Sequence, residues 1–151
     1  MNEPMLPSAM REELLAQHKD LRARVDETRA AIAAVRAGTG THEQFFAALT
    51  RLASALGVHN AREEALLKDV IPDVDAWGPA RAELMFSEHL KEHELLFDSL
   101  VSSGRSHEDA AMTAVSGLLD ELVEHMVREE KGFLGEEVLH DDVMPRDVFG
   151  G

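Results

Sequence analysis

The feature that most constrains the fold is a set of four long stretches in which apolar residues recur every three or four positions. This spacing is typical of amphipathic helices, whereas alternation with period two, which would indicate a strand, does not occur. The four helices are expected from about Ser8 to Arg36, from Thr41 to about Asp69, from about Ala80 to Ser103, and from Ser106 to about Lys131.

The segments between these stretches contain residues that end or begin helices. Gly38-Thr39-Gly40 ends the first helix, and Thr41 with Gln44 has the pattern of a capping box that begins the second. Ile71 to Pro79 contains two prolines and a glycine, which predicts a loop. Gly104 ends the third helix shortly before the fourth begins.

Four long helices joined by short connections predict an all-α fold, an antiparallel up-down-up-down four-helix bundle with a short C-terminal tail. We assign residues 1–131 to the bundle and residues 132–151 to the tail, which has room for one short helix near Glu136 to His140. Gly57 and Gly117 lie inside the second and fourth helices, where glycine costs stability relative to alanine. Either a close approach of two helices or a local weak point would account for each of them.

Composition excludes several classes of function. The 151 residues include 15 basic and 29 acidic side chains, a net charge of −14 that would repel nucleic acid. The absence of Cys excludes disulfides, thiolate nucleophiles and Cys-ligated iron–sulfur clusters. No apolar run is long enough to span a membrane, and the first ten residues lack a signal-peptide pattern, so a cytoplasmic location is expected. Any bound metal must be held by His, Asp or Glu.

The apolar stripe of each helix is interrupted by histidine and glutamate. The seven interruptions are His18 in the first helix, His59 and Glu63 in the second, His89 and His93 in the third, and His125 and Glu129 in the fourth. Glu63 lies about 40° around the helix from His59, whereas Glu64 lies about 140° away and off the stripe. The same geometry favours Glu129 over Glu130.

These seven residues also fall at similar depths in the expected bundle. His59 lies 18 residues after Thr41, and His18 lies 18 residues before Arg36. Both are therefore about 27 Å from the same end of the bundle, at 1.5 Å per residue. His89 and the other histidines reach a matching height, to within about one helical turn for the fourth helix. Five imidazoles and two carboxylates are thus expected to converge in the core.

A buried cluster of this composition predicts metal binding. Burying two carboxylates without partners would cost several kcal/mol each, and a purely structural hydrogen-bond network would need donors. The nearby cations, Arg62 and Arg128, point off the stripes. Nitrogen and oxygen donors without thiolate suit iron, manganese, zinc or cobalt. A structural zinc site needs four ligands, so seven ligands favour a pair of metal ions.

The pattern resembles the hemerythrin-like (HHE cation-binding) domains over about Ser8 to Lys131, because the seven residues occur in that family's order. The resemblance implies a non-haem di-iron centre, bridged by the two carboxylates and by an oxo or hydroxo group. His89, His93 and His125 would hold one iron. His18 and His59 would hold the other and leave a coordination position open, and Glu63 and Glu129 would bridge the two irons.

The pattern of the fourth helix differs from that of the oxygen-carrying hemerythrins. In those proteins an aspartate follows the fourth-helix histidine by five positions. Here the fifth position is Glu130, and the acid on the stripe is Glu129 at the fourth. This pattern is similar to that of the broader HHE group, whose members vary in function.

Three functions agree with the sequence. The first is binding of O2 or NO at the open iron position for oxygen binding, storage or sensing, with Leu21, Leu56 and Leu122 keeping the pocket dry. The second is a di-iron enzyme that processes H2O2 or NO, with Glu64 and Glu130 orienting ligands or passing protons. The third is iron storage or sensing, in which metal loading orders the bundle. The expected partners are these small ligands, with neither nucleic acid nor membrane.

Overall fold

The computed structural model describes residues 5–70, 79–105, 107–132, 134, 135, 139 and 141. These residues form α-helices and no strand. The helices are α1 (Pro7–Arg36), α2 (His42–Val70), α3 (Pro79–Gly104) and α4 (Glu108–Lys131). Each helix packs against the next, and α4 packs against α1. The predicted all-α four-helix bundle is therefore confirmed.

The turn between α1 and α2 forms as the sequence predicts. Gln44 donates its backbone N–H to Thr41 Oγ1 at 3.2 Å, and Thr41 donates its backbone N–H to Gln44 Oε1 at 3.0 Å. This capping box satisfies two N–H groups that the start of α2 would otherwise leave unpaired. Gly38 has a φ of 77°, a left-handed conformation that glycine adopts at little cost after a helix.

Three sequence predictions concern other parts of the chain. The fourth helix begins at Glu108, two residues after the predicted start, and Glu108 and Asp109 place negative charge in its first turn. The predicted start itself, Ser106, lies outside the described residues. So do most of the predicted loop from Ile71 to Pro79 and most of the predicted tail helix near Glu136 to His140.

The sequence predicts a buried stripe in α4 of Ala111, Val115, Leu118, Leu122, His125 and Glu129, and the structure differs from it at one position. Spacing of three residues after Val115 would place Leu118 in the core, but Leu119 is fully buried and Leu118 only partly. Both three- and four-residue steps lie on one helical face, so the sequence alone leaves the choice open. The rotation of α4 against its neighbours decides it.

The core consists of two apolar clusters with a polar layer between them. The larger cluster includes Leu21, Val25, Phe45, Leu52, Leu56, Val115, Leu119 and Leu122. The smaller cluster consists of Met10, Leu14, Leu66, Leu67, Leu134 and Leu139. In α1 and α2, the predicted metal-ligand positions fall between the segments that supply the two clusters. The apolar clusters therefore hold the helices at fixed separation on both sides of the polar layer.

The described residues after α4 close the end of the bundle that holds the smaller cluster. Leu134 and Leu139 are buried. Arg11 donates from Nε to the Leu134 carbonyl oxygen at 2.7 Å, and Asp141 accepts the backbone N–H of Ser8 at 3.1 Å. The latter contact places a carboxylate at the N-terminus of α1, where it is favourable.

Within the described residues, none of the helices combines the length and hydrophobicity that crossing a bilayer requires.

The two helical glycines are expected to respond differently to substitution by alanine. A Cβ at Gly117 would have no neighbour within 4 Å, so Gly117→Ala should raise the free energy of unfolding by roughly 0.5–1 kcal/mol. A Cβ at Gly57 would lie 3.2 Å from Phe97 Cε2, so Gly57→Ala should gain less or lose stability. Urea denaturation of both variants measures this difference, and an equal gain for both would contradict the close approach of α2 and α3.

Candidate metal centre

The seven predicted ligand residues all lie in the polar layer, and each is almost completely buried. They are His18, His59, Glu63, His89, His93, His125 and Glu129. The neighbouring acids are partly exposed: the side chain of Glu64 is 33% exposed against 0% for Glu63, and that of Glu130 is 25% exposed against 3% for Glu129. The structure therefore turns one acid of each pair into the core and leaves the other near the surface.

The carboxylate of Glu63 lies between two sets of histidines. Its Oε1 is 2.6 Å from His89 Nε2 and 3.2 Å from His93 Nε2. Its Oε2 is 3.0 Å from His59 Nε2 and 3.5 Å from His18 Nε2. One carboxylate thus presents each of its oxygens to a different pair of imidazoles.

Glu129 approaches the histidines from α4. Its Oε1 contacts His125 Nε2 and lies 3.7 Å from His93 Nε2, and its Oε2 lies 3.6 Å from His89 Nε2. Ligand atoms of His89, His93, His125 and Glu129 all lie within 4.8 Å of one another, and so do those of His18, His59, Glu63 and Glu129. Each group could hold a metal ion, and Glu129 belongs to both.

The hydrogen bonding of the inner atoms provides a test of whether metal ions fit this centre. Six inward-facing polar atoms are buried and make no hydrogen bond of acceptable geometry, although several of them lie close to one another: Nε2 of His18, His59, His93 and His125, and Oε2 of Glu63 and Glu129. Buried polar atoms are almost always satisfied, because leaving one unpaired costs about 1–3 kcal/mol. Divalent cations coordinated by these atoms would satisfy them, so the donor set fits a metal centre.

The outer side of four of the imidazoles is held by acceptors from neighbouring helices. His59 Nδ1 lies 2.7 Å from Gln17 Oε1, His93 Nδ1 lies 2.9 Å from Glu64 Oε1, His125 Nδ1 lies 3.0 Å from Glu92 Oε1, and His18 Nδ1 lies 2.9 Å from Glu130 Oε2. Each helix supplies the acceptor for a histidine of the next helix, and α4 returns to α1. We call these four contacts the outer ring. An acceptor at Nδ1 leaves Nε2 directed at the centre, the arrangement typical of metal-binding histidines.

Two of the acceptors in the outer ring are themselves held in place by arginine. Glu130 accepts two hydrogen bonds from Arg22, at 2.8 and 2.7 Å, and Glu92 accepts one from Arg128 at 2.6 Å. Such charge-assisted contacts, and above all the bidentate one, restrict the carboxylate geometry.

The sequence predicts that Glu64 and Glu130 orient ligands or pass protons, whereas Gln17 and Glu92 were not predicted from it. A simple signal would have found them, because each outer-ring acceptor is adjacent in sequence to a predicted ligand: Gln17 precedes His18, and Glu92 precedes His93. A residue next to a core position lies about 100° around the helix and so faces an adjacent helix.

The carboxylates raise the pKa of three of the buried imidazoles. Burial alone lowers the pKa of His93, but Glu129 and Glu63 outweigh it and raise that pKa to about 10. The same competition, between burial and the nearby carboxylates, raises the pKa of His18 and of His125 above their ordinary values. Without a metal ion, protons on these rings therefore balance the buried negative charge.

Glu63 shows the reciprocal effect. Burial raises the pKa of its carboxyl, but close polar contacts with Glu129, His18, His59 and His89 hold that pKa well below its usual value. The carboxylate is therefore ionised and available as a ligand at neutral pH.

These shifts predict the pH dependence of the metal-free protein. A raised histidine pKa stabilises the folded state fully below the unfolded pKa of 6.5, and this contribution is lost as pH rises towards the folded pKa, about 10 for His93. The Tm of the metal-free protein should therefore fall between pH 6.5 and 10. Saturating Co2+ should reduce this fall, because metal ions replace the protons. A Tm that rises over this range without metal would contradict the proposed charge balance.

Comparison with known proteins agrees with this geometry. A search of curated proteins and a search of solved structures gave no significant match. The family model described as the hemerythrin HHE cation binding domain matches residues 9–136, which include all four helices almost completely and the seven buried His and Glu residues. The chain therefore belongs to the hemerythrin HHE cation-binding domain family.

Proposed function

We propose that this protein is a non-haem di-iron protein that binds O2 or NO at an open iron coordination position, for oxygen binding, storage or sensing. The observation that carries the proposal is the pair of adjoining His/Glu groups, which share Glu129 and have Glu63 between them. Two groups that share a carboxylate suit two metal ions bound side by side.

The proposed ligand assignment follows the unequal number of histidines in the two groups. His89, His93 and His125 would hold one iron, and His18 and His59 the other, with Glu63 and Glu129 as bridges. The iron with two histidines has one protein ligand fewer, so an external ligand would bind there. When bound, the iron pair would supply an electron-rich metal that takes up O2 or NO reversibly.

The surroundings of the centre support a binding role. Leu21, Leu56 and Leu122 are almost completely buried and belong to the larger apolar cluster next to the polar layer. Apolar side chains at this position exclude water, which strengthens electrostatic interactions at the centre and suppresses side reactions. We also propose a cytoplasmic location, where the reducing environment would favour ferrous iron.

One observation favours a second candidate, a di-iron enzyme that processes peroxide or NO. His18, Glu130 and Arg22 form a continuous hydrogen-bonded chain from the buried centre to the surface, where the side chains of Glu130 and Arg22 are 25% and 36% exposed. A partly exposed carboxylate hydrogen-bonded to a buried imidazole could hold and pass a proton. Disproportionation of H2O2 transfers protons between two peroxide molecules, and reduction of NO by an external electron donor consumes protons, whereas reversible O2 binding has no such need.

The ligand assignment predicts different effects for two adjacent glutamates. Glu63→Ala removes the carboxylate between the two groups and should lower bound iron well below two per chain. Glu64→Ala removes only the outer contact to His93, so it should retain two irons with affinity lowered by about 10- to 100-fold. Metal analysis after anaerobic reconstitution, with chelator competition for affinity, measures both. Equal losses of bound iron would contradict the assignment.

The choice between a binding protein and an enzyme can be tested on the iron-loaded protein. After anaerobic reconstitution with Fe2+, a visible absorption band that appears in air and disappears under argon is expected for reversible O2 binding. Evolution of O2 from added H2O2, lost in Glu130→Gln, would favour the enzyme instead. Fewer than two irons per folded chain would contradict the di-iron proposal.

A further inference from the structure

A groove of about 610 Å³ lies between α1 and α2 and reaches the candidate metal centre. Ala16, Ala55 and Val58 supply apolar lining, and Gln17 and His59 also line it. Val58 is 73% exposed, whereas His59 is only 4% exposed. The groove therefore leads from the surface to a buried imidazole of the centre.

The groove meets the half of the centre that has fewer histidines. His59 belongs to the group that contains two histidines, His18 and His59, together with Glu63 and Glu129. Under the proposed function, this is the half that offers a position to an external ligand.

The groove is lined by the one outer-ring contact whose acceptor carries no charge. Three of the four acceptors are carboxylates, whereas Gln17 is a neutral amide. Hydrogen bonds between neutral groups are roughly half as strong as charge-assisted ones. If the Gln17 side chain moves away from His59, it leaves no charge unpaired, so this contact can open at lower cost than the other three.

The contacts between the other neighbouring pairs of described helices do not combine a groove, an uncharged outer-ring acceptor and the half of the centre with two histidines. The groove between α2 and α3 reaches Glu64 and His93, which belongs to the group with three histidines. The groove between α3 and α4 is lined by Glu92 and Arg128, which are paired. Between α4 and α1, Glu130 contacts His18 and is itself held by two hydrogen bonds from Arg22.

The charges around the α1–α2 groove are largely paired. Arg24 Nε donates to Asp20 Oδ2 at 3.3 Å, and Glu13 accepts hydrogen bonds from Arg62 at 2.8 and 3.0 Å. Paired charges produce little net field, so the groove offers no strong attraction to an anion. Its apolar lining suits a small neutral molecule.

We infer that a small neutral diatomic ligand reaches the His18–His59 half of the centre along the α1–α2 groove, and that Gln17 controls passage at its buried end. This inference rests on the proposed function. Gln17 acts here as a positioning residue, because it contacts Nδ1 of His59 and not the Nε2 that faces the centre.

The test uses NO as the probe and stopped-flow absorption of the reduced, iron-loaded protein. Ala55→Phe fills the groove, and Val58→Trp covers it from an exposed position that tolerates a larger side chain. Ala61→Trp is the matched control, because Ala61 is also exposed on α2 but lines the α2–α3 groove. Bound iron and Tm are measured for every variant, so that effects on loading or folding are separated from effects on entry.

We expect the two groove variants to slow NO association by roughly tenfold, which corresponds to about 1.4 kcal/mol on the entry barrier, with bound iron unchanged. Ala61→Trp should match the parent protein, and Gln17→Ala should accelerate association. Equal rates in all variants, or equal slowing by Ala61→Trp, would overturn the inference. If the parent protein binds two irons but takes up no NO, the proposed function itself fails. If Ala55→Phe does not fold, the NO association rate of Val58→Trp alone tests the inference.

Discussion

The burial of two carboxyl groups among five imidazoles is the constraint on which the rest of the structure depends. Glu63 and Glu129 lie in a layer from which water is almost excluded, so their charge must be balanced by protons or by metal ions. Apolar clusters on both sides of this layer provide the stabilisation that keeps the helices together despite that cost. The polar layer of the bundle is therefore most stable when it holds cations, either protons or metal ions.

The outer ring connects this centre to the packing of all four helices. Each helix holds a histidine of its neighbour, so a shift of any one helix would turn at least one imidazole away from the centre. Metal affinity thus depends on the whole bundle, and metal binding in turn stabilises the packing of every helix. The arginines that fix Glu92 and Glu130 extend this rigidity to the surface.

Membership of the HHE family establishes the class of site, but the donor set alone leaves the function open. Carriers, sensors and enzymes can share the same ligands, because function depends on what reaches the metal centre and on how protons move there. In this chain two features bear on that choice: the α1–α2 groove with Gln17, and the chain from His18 through Glu130 to Arg22. Both lie outside the ligand set.

The sequence by itself determined the helices, the capping box at Thr41 and the orientation of one acid in each pair, Glu63 rather than Glu64, because the helical period is a local property of the chain. Only the tertiary structure decided that Leu119 rather than Leu118 is fully buried, and that Gln17 contacts His59. Both depend on how far each helix is rotated against its neighbours, which follows from the packing of all side chains together.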